Sequence, residues 1–140
     1  MKLYTFSLAP NPRRVHVYLA EKGIELTLET VDIATGANRK PDFLKKNPLG
    51  GLPVLELDAG SHLPESLGIM EYLEELHPEK PMIGRTPLER ARTREVGRIA
   101  EIGVLSAIGT IFQNTNPLFA SRVKQSPDAV ETARTRLANN

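Results

Sequence analysis

A stretch in the first half of the chain, residues 51–57, constrains the possible fold more than any other part of the sequence. Its Leu52-Pro53 pair stands directly before the mostly apolar residues 54–57, so an X-Pro bond lies at the entrance to a predicted strand. Residues 58–61 predict a turn, and residues 65–76 carry apolar side chains at helical spacing. A backbone exposed before a proline and free N–H groups at a helix start could together hold a short peptide and its carboxylate.

The residues that precede this stretch predict a βαβ unit. Residues 2–6 alternate in polarity as a short strand does, and residues 25–31 repeat that pattern. Between them, Asn11 is predicted as the N-cap of a helix over residues 12–22, with Pro12 at its first position. A strand, a helix and a second strand at this length predict two parallel strands joined by a right-handed crossover.

Two further strands and two helical segments complete the predicted first domain. Residues 41–46 predict one or two helical turns, residues 54–57 a third strand and residues 61–63 a short fourth strand. The helix over residues 65–76 follows, with its apolar side facing the core. We therefore predict a first domain over residues 1–77 and a linker over residues 78–86.

The remaining residues, 87–140, predict the start of an all-helical domain. Thr86 and Glu89 have the spacing of a capping box, and Pro87 stands between them at the first helical position. Apolar residues at helical spacing extend this helix to about Phe112. Ser126 begins one more predicted helix.

The composition limits the kinds of chemistry that the chain can perform. It has 18 Lys and Arg against 17 Asp and Glu, a net charge of +1 that gives no reason to expect nucleic-acid or membrane-surface binding. It has no Cys, which excludes disulfides, thiolate metal sites and a thiol nucleophile of its own. The three His are scattered without metal-ligand spacing, so we expect no metal. No signal peptide or membrane-spanning run is predicted, and we expect a cytoplasmic protein.

Four motifs of the chain occur together in one known family. They are Asn11-Pro12-Arg13-Arg14-Val15, residues 20–24, residues 43–55 with Leu52-Pro53, and Glu65-Ser66 followed by Tyr72-Leu73. In this combination they resemble the glutathione transferase family, in particular its bacterial Nu-like members. The resemblance implies an α/β fold: a thioredoxin-like N-terminal domain (βαβ-ββα, with a mixed four-stranded sheet) followed by part of an all-α domain.

The resemblance also implies the partners of the chain. It implies glutathione as co-substrate, a small hydrophobic electrophile or a disulfide as second substrate, a role in detoxification and a homodimer. It leads us to expect further helices after residue 140, which would complete the pocket for the second substrate. From the net charge and the scattered His residues, as above, we expect no metal, no nucleic acid and no membrane as partner.

By this resemblance, two segments would hold glutathione. We expect the Leu52-Pro53 bond to be cis, with the Leu52 N–H and C=O turned outward to pair with the cysteinyl backbone of the ligand. The alternative is an ordinary trans loop proline. Ser66 and the free N–H groups of its helix would hold the γ-glutamyl carboxylate, and Glu65 the α-ammonium. The alternative for Glu65-Ser66 is an ordinary helix cap.

The residue that would activate the glutathione thiol differs from the one that most family members use. Many family members place a Ser, Cys or Thr six residues before the helix valine, where this chain has Ala9. The Nu-like members resemble this chain in placing an Asn four residues before that valine, so Asn11 is our candidate and Ser7 the second choice. Asn11 is also predicted as an N-cap, and the two roles are compatible.

The group that binds the glycine carboxylate of glutathione is also altered. The family usually places a His or Lys just before the X-Pro bond, where this chain has Gly50 and Gly51. By position in the Nu-like pattern, Asn38 and Lys40 are the candidates for this contact.

Two functions follow from these observations. The first is a glutathione transferase that ionises the thiol and transfers it to an electrophile, or uses it in disulfide exchange as a glutathione-dependent disulfide reductase. Without Cys, such exchange must run through two glutathione molecules. The second is a non-catalytic binding module on the same fold, which lost its chemistry with the hydroxyl or thiol that Ala9 replaces.

Overall fold

The computed structural model describes residues 1–139. These residues form two compact units, Met1–Met82 and the described part of the chain from Ile83 onward.

The first unit is built on a mixed four-stranded sheet, as predicted. Its strands are β1 (Lys2–Thr5), β2 (Thr27–Thr30), β3 (Val54–Glu56) and β4 (His62–Pro64), in the order β2-β1-β3-β4. β1 and β2 run parallel, whereas β3 runs antiparallel to both β1 and β4. The four strands and the mixed sheet are confirmed, whereas the order of the strands within the sheet was not predicted from the sequence.

Helices cover both faces of this sheet. They are α1 (Pro10–Lys22), α2 (Pro41–Leu44) and α3 (Ser66–Leu76), with a 3₁₀ turn at Ala37–Arg39. On one face, a buried cluster joins the sheet to α1 and α3: Leu3, Val15, Tyr18, Leu19, Leu55, Ile69 and Leu73. On the other face, Phe43 of α2 packs with Tyr4, Val31 and Val54. Because successive strand residues point to opposite faces, Leu3 and Tyr4 enter different clusters.

Two details of the first unit differ from the prediction. Asn11 is not the N-cap of α1, because the helix begins at Pro10 and Ala9 occupies the cap position. Pro10 and Pro12 both fit the first turn, where a missing N–H breaks no helical hydrogen bond, so the helix starts two residues earlier than predicted. The second difference lies in β2, predicted over residues 25–31 but observed only at Thr27–Thr30, an edge strand whose four residues are all exposed, Leu28 included.

The second unit consists of helices. They are α4 (Pro87–Ile99), a π-helical segment (Ala100–Leu105), α5 (Ser106–Thr115), a 3₁₀ turn (Pro117–Phe119) and α6 (Pro127–Ala138). The predicted capping box is present, since Glu89 N–H donates to Thr86 Oγ1 at 3.2 Å and Thr86 N–H donates to Glu89 Oε2 at 3.1 Å.

The long helix predicted to reach about Phe112 is not regular throughout. The π-helical segment interrupts it, and the α-helical pattern resumes at Ser106. Gly103 and Ala107 are buried here, and α5 packs against α6, whose Val130 and Ala133 are buried as well. Small side chains allow this close approach of helices. Within residues 1–139, no helix has the length and apolar character needed to cross a membrane.

Candidate functional site

Three segments that carry predicted site residues meet the sheet at one edge. Tyr4 of β1 is the register partner of Val54 of β3, which in turn is the partner of Pro64 of β4. The end of β1, the beginning of β3 and the end of β4 therefore lie side by side, at the same edge of the sheet, across the ends of its strands. Residues 6–9 follow β1 directly, residues 65–66 follow β4, and residues 52–53 precede β3. The pairing thus brings together predicted site segments that are up to about sixty residues apart in sequence.

The loop before β3 presents the backbone of Leu52. The Leu52-Pro53 peptide bond is cis, and Pro53 is fully buried. The Leu52 side chain packs against the cluster that contains Tyr4 and Phe43. Its backbone N–H and C=O are absent from the loop and turn hydrogen bonds of the described residues. A folded loop with free main-chain groups beside a strand entrance can accept an extended peptide.

Side chains brace this loop from two sides. Three consecutive carbonyls before Leu52 each accept a hydrogen bond from a side-chain nitrogen. The donors are Arg39 Nη1 to Leu49 O (3.0 Å), Asn38 Nδ2 to Gly50 O (2.7 Å) and Asn47 Nδ2 to Gly51 O (3.0 Å). Asn47 Oδ1 also accepts from the Leu49 N–H at 3.1 Å. Sequence reasoning missed Arg39 and Asn47, although the Asn47-Pro48 pair does mark the end of the helical turns.

α3 begins two residues after Pro64, the register partner of Val54. Glu65 occupies the cap position with φ 74° and ψ 118°, an uncommon conformation for a residue with a side chain. Its own side chain is exposed, whereas Ser66 is buried. The Ile69 N–H donates to the Glu65 carbonyl at 3.0 Å, which is the first hydrogen bond of the helix. The N–H groups of residues 66–68 thus precede the helical ladder and can serve an anion.

The corner after β1 contains the candidates for thiol activation. Ser7 is exposed in a turn that the Ala9 N–H closes on the Phe6 carbonyl at 3.0 Å. Asn11 lies in the first turn of α1 and is half-buried. Its Oδ1 is buried and has no hydrogen-bond partner among the described residues.

The two candidates for the glycine carboxylate have different surroundings. Asn38 is only 8% exposed, and its amide nitrogen is engaged by the Gly50 carbonyl. Lys40 is exposed, at the cap position of α2. Of the two, only Lys40 carries a charged side chain that is exposed and could bind a carboxylate.

The comparisons with known proteins agree on the family. The family model described as "Glutathione S-transferase, N-terminal domain" matches residues 9–76. A "Probable glutathione transferase" of Aplysia californica is 42% identical over 86 residues, which are 61% of this chain and 88% of that protein. The chain belongs to the glutathione S-transferase family.

Longer relatives in this family extend beyond the matched part. Glutathione S-transferase 2 of Saccharomyces cerevisiae is 35% identical over 119 residues, which are 84% of this chain and 51% of that protein. A glutathione S-transferase domain-containing protein of Marinobacter aquaeolei has a solved structure with a TM-score of 0.90 and 34% identity, covering 99% of this chain and 70% of that one. The chain spans about half the length of the curated relatives it matches first.

Proposed function

We propose that this chain is the glutathione-binding part of a glutathione transferase, and that it ionises the bound thiol for attack on an electrophile. The observation that carries the proposal is the register from Tyr4 through Val54 to Pro64, which gathers the three segments at one edge. Membership of the glutathione S-transferase family supports it. A role in cytoplasmic detoxification is part of the same proposal and rests on family membership alone.

The ligand would be held mainly by backbone groups. The free N–H and C=O of Leu52 pair with the cysteinyl backbone as a one-residue strand addition. Pro53 keeps this loop in place at the mouth of β3. The γ-glutamyl carboxylate lies at the start of α3, against Ser66 and the unpaired helical N–H groups, where the helix dipole favours negative charge. Glu65, with its exposed side chain, takes the α-ammonium, and Lys40 is the candidate for the glycine carboxylate.

Asn11 would stabilise the thiolate. A cysteine-like thiol has a pKa of about 8.5, and lowering it by about 2 units corresponds to roughly 2.7 kcal/mol. One hydrogen bond to a charged group contributes about 1.5–3 kcal/mol, so a single donor suffices. The start of α1 adds about 0.3–1 kcal/mol. Asn11 lies in that first helical turn, and its side-chain NH2 group is the proposed donor. Ser7, exposed in the preceding turn, is the alternative donor.

The thiolate then has two uses. In conjugation, the sulfur attacks an electrophilic carbon, and the leaving group departs with the bonding electrons. In disulfide exchange, the sulfur attacks one sulfur of a disulfide and releases the other as a thiolate. Since the chain has no Cys, a second glutathione must complete this exchange.

The direct test is an assay of the chain with glutathione, using an aromatic halide and a model disulfide as second substrates. Turnover above the uncatalysed rate with either substrate supports the proposal. Calorimetric binding of glutathione without turnover would leave the second candidate function, a non-catalytic binding module. Ala9 favours this second candidate, because it removes the usual hydroxyl or thiol from the corner. In that case Ala9→Ser is expected to gain activity that the parent chain lacks.

A further inference from the structure

The three braced carbonyls directly precede Leu52, whose own N–H and C=O are absent from the loop and turn hydrogen bonds of the described residues. Two of their donors, Asn38 and Arg39, belong to the 3₁₀ turn, and the third, Asn47, follows α2. The loop is therefore held by two separate segments of the chain. Leu52 comes directly after the last braced carbonyl, so its orientation depends on theirs.

Asn38 is the most deeply enclosed donor of the 3₁₀ turn. It is 8% exposed, and its Nδ2 donates to the Gly50 carbonyl at 2.7 Å. Its Oδ1 is buried and has no partner within residues 1–139. Turning the amide around would place two oxygens against each other, so the Gly50 carbonyl fixes its orientation. A buried amide whose oxygen stays unpaired is unfavourable for stability, which suggests that Asn38 serves another purpose.

Gly50 fits closely against the same turn. Its φ is +64°, in the left-handed region that disfavours side chains. A Cβ at this position would lie 2.8 Å from the backbone oxygen of Asn38. The loop and the turn therefore touch through main chain on one side and through the Asn38 amide on the other.

We propose that Asn38 is a positioning residue for ligand binding: it fixes the Gly50 carbonyl so that the backbone of Leu52 stays aligned with a peptide ligand. Asn38 thus acts through the loop and does not touch the glycine carboxylate itself. This inference rests on the proposed function, since it names what holds the strand-like contact to glutathione. Asn47 braces the next carbonyl in the same way but is also tied to the Leu49 N–H.

The test is a coupling experiment with two ligands. The first ligand is glutathione, and the second is glutathione methylated on its cysteinyl nitrogen, which lacks the N–H that the Leu52 carbonyl would accept. In the parent chain, methylation is expected to weaken binding by roughly tenfold, as the loss of one well-aligned hydrogen bond does. In Asn38→Ala, glutathione itself binds about tenfold more weakly, and methylation costs less than about threefold, because the two changes remove the same contact.

Two further variants make the outcome decisive. Leu19→Ala lowers stability from the other core cluster, away from the loop, and is expected to retain the full methylation penalty. Asn38→Ser keeps a small polar group but is too short to reach Gly50, and it is measured alongside in case Asn38→Ala does not fold. An undiminished methylation penalty in the Asn38 variants, or an equal loss of it in Leu19→Ala, overturns the inference. Failure of the parent chain to bind glutathione overturns instead the proposed function on which the inference rests.

Discussion

Asn11 is the proposed thiolate donor because its amide side chain stands in the first turn of α1, directly after the corner that follows β1. Asn11→Ala should raise the pKa of the bound glutathione thiol by about 1–2 units, because a hydrogen bond to a charged group contributes about 1.5–3 kcal/mol. At pH 7 the thiolate fraction, and with it kcat/KM, should fall by roughly 3–25-fold from a parent pKa of about 6.5, with little change in glutathione affinity.

The thiolate absorbance followed against pH measures this shift directly. Ser7→Ala is the matched variant, because Ser7 is the other polar side chain proposed for the corner. It should leave the pKa of the thiol unchanged. If the pKa of the thiol shifted in Ser7→Ala and not in Asn11→Ala, Ser7 and not Asn11 would be the thiolate donor.

Gly50 allows a second test at the residue scale, because Gly36 offers a matched control. Both have positive φ, +64° and +73°, but a Cβ at Gly36 would meet nothing within 4 Å. Alanine at either site should cost about 1–2 kcal/mol from the left-handed backbone. Gly50→Ala should cost more than Gly36→Ala, since its Cβ would also crowd Asn38 O, and it alone should weaken glutathione binding. Denaturant unfolding and calorimetry compare the two; equal losses in both measurements would contradict the account.

Sequence reasoning succeeds at some residues and fails at others for physical reasons. Leu52-Pro53 and Glu65-Ser66 could be placed correctly, because a proline at a strand entrance and a helix start are local signals. The burial of Asn38 could not be foreseen, since it depends on a contact with Gly50, twelve residues on. The first turn of α1 was misplaced because two prolines two residues apart satisfy the same local rule.

Among the elements of the first unit, α1 and α3 are joined by a buried ion pair that the sequence did not predict. Lys22 Nζ and Glu74 Oε2 lie 2.7 Å apart, with side chains 1% and 4% exposed. Glu74 also accepts from the Tyr18 hydroxyl at 2.5 Å and from the Met82 N–H at 2.7 Å, and Lys22 donates to the His77 carbonyl. Burial and the hydrogen bond to Glu74 raise the pKa of Tyr18 well above its usual value, so its hydroxyl remains a donor.

Removing one partner of this ion pair should strongly destabilise the first unit. Glu74→Ala is expected to lower the free energy of unfolding by about 3–5 kcal/mol, because Lys22 would be left charged and buried. Glu21→Ala, at an exposed position of α1, should change it by less than about 0.5 kcal/mol. Urea unfolding of both variants tests this. A Glu74→Ala variant as stable as Glu21→Ala would show that the pair contributes little.

The sheet contains a second carboxylate whose ionisation should appear in the pH dependence of stability. Glu56 Oε2 accepts the Tyr4 hydroxyl at 2.5 Å and lies 3.6 Å from Lys46 Nζ and 3.4 Å from His62 Nε2. The Tyr4 hydrogen bond, with Lys46 as a further cause, holds the pKa of Glu56 below its usual value. The stabilisation is therefore complete above the unfolded-state pKa, about 4.3. It is lost as the pH falls through the lower folded-state pKa.

The expected result is a loss of unfolding free energy below about pH 4.3 that is larger in the parent chain than in Glu56→Gln. Chemical denaturation between neutral and acidic pH measures it. Parallel pH profiles for the two proteins would contradict the assignment. Glu56 can be predicted as a strand residue from sequence, but its three partners come from other elements and are visible only in the structure.

At the scale of the whole molecule, the second unit carries an extensive apolar surface. Its α4, π-helical segment and α5 expose large side chains that are 44–66% accessible, a pattern that marks an interaction surface. They include Val96, Ile99, Ile102, Ile108 and Phe112. The homodimer proposed from the family would bury such a surface.

Light scattering of the parent chain should therefore give twice the mass of one chain. Ile99→Glu should lower the measured mass towards that of one chain. Its circular dichroism should still show the helices. Glu131→Lys, an exposed change on α6, is the control and should leave the mass unchanged. A parent chain that runs as a single copy at all concentrations would contradict the proposed dimer.

We propose that glutathione binds at one end of the strands, where it contacts Leu52, the start of α3 and Asn11 at the same time. Titration of the isotope-labelled chain with glutathione, followed by backbone and side-chain amide resonances, tests it most directly. The account predicts saturable shifts at the Leu52 amide, the Ser66 amide and the Asn11 side-chain amide, all with one dissociation constant. The account is contradicted if millimolar glutathione leaves these three resonances in place, or moves them with different constants.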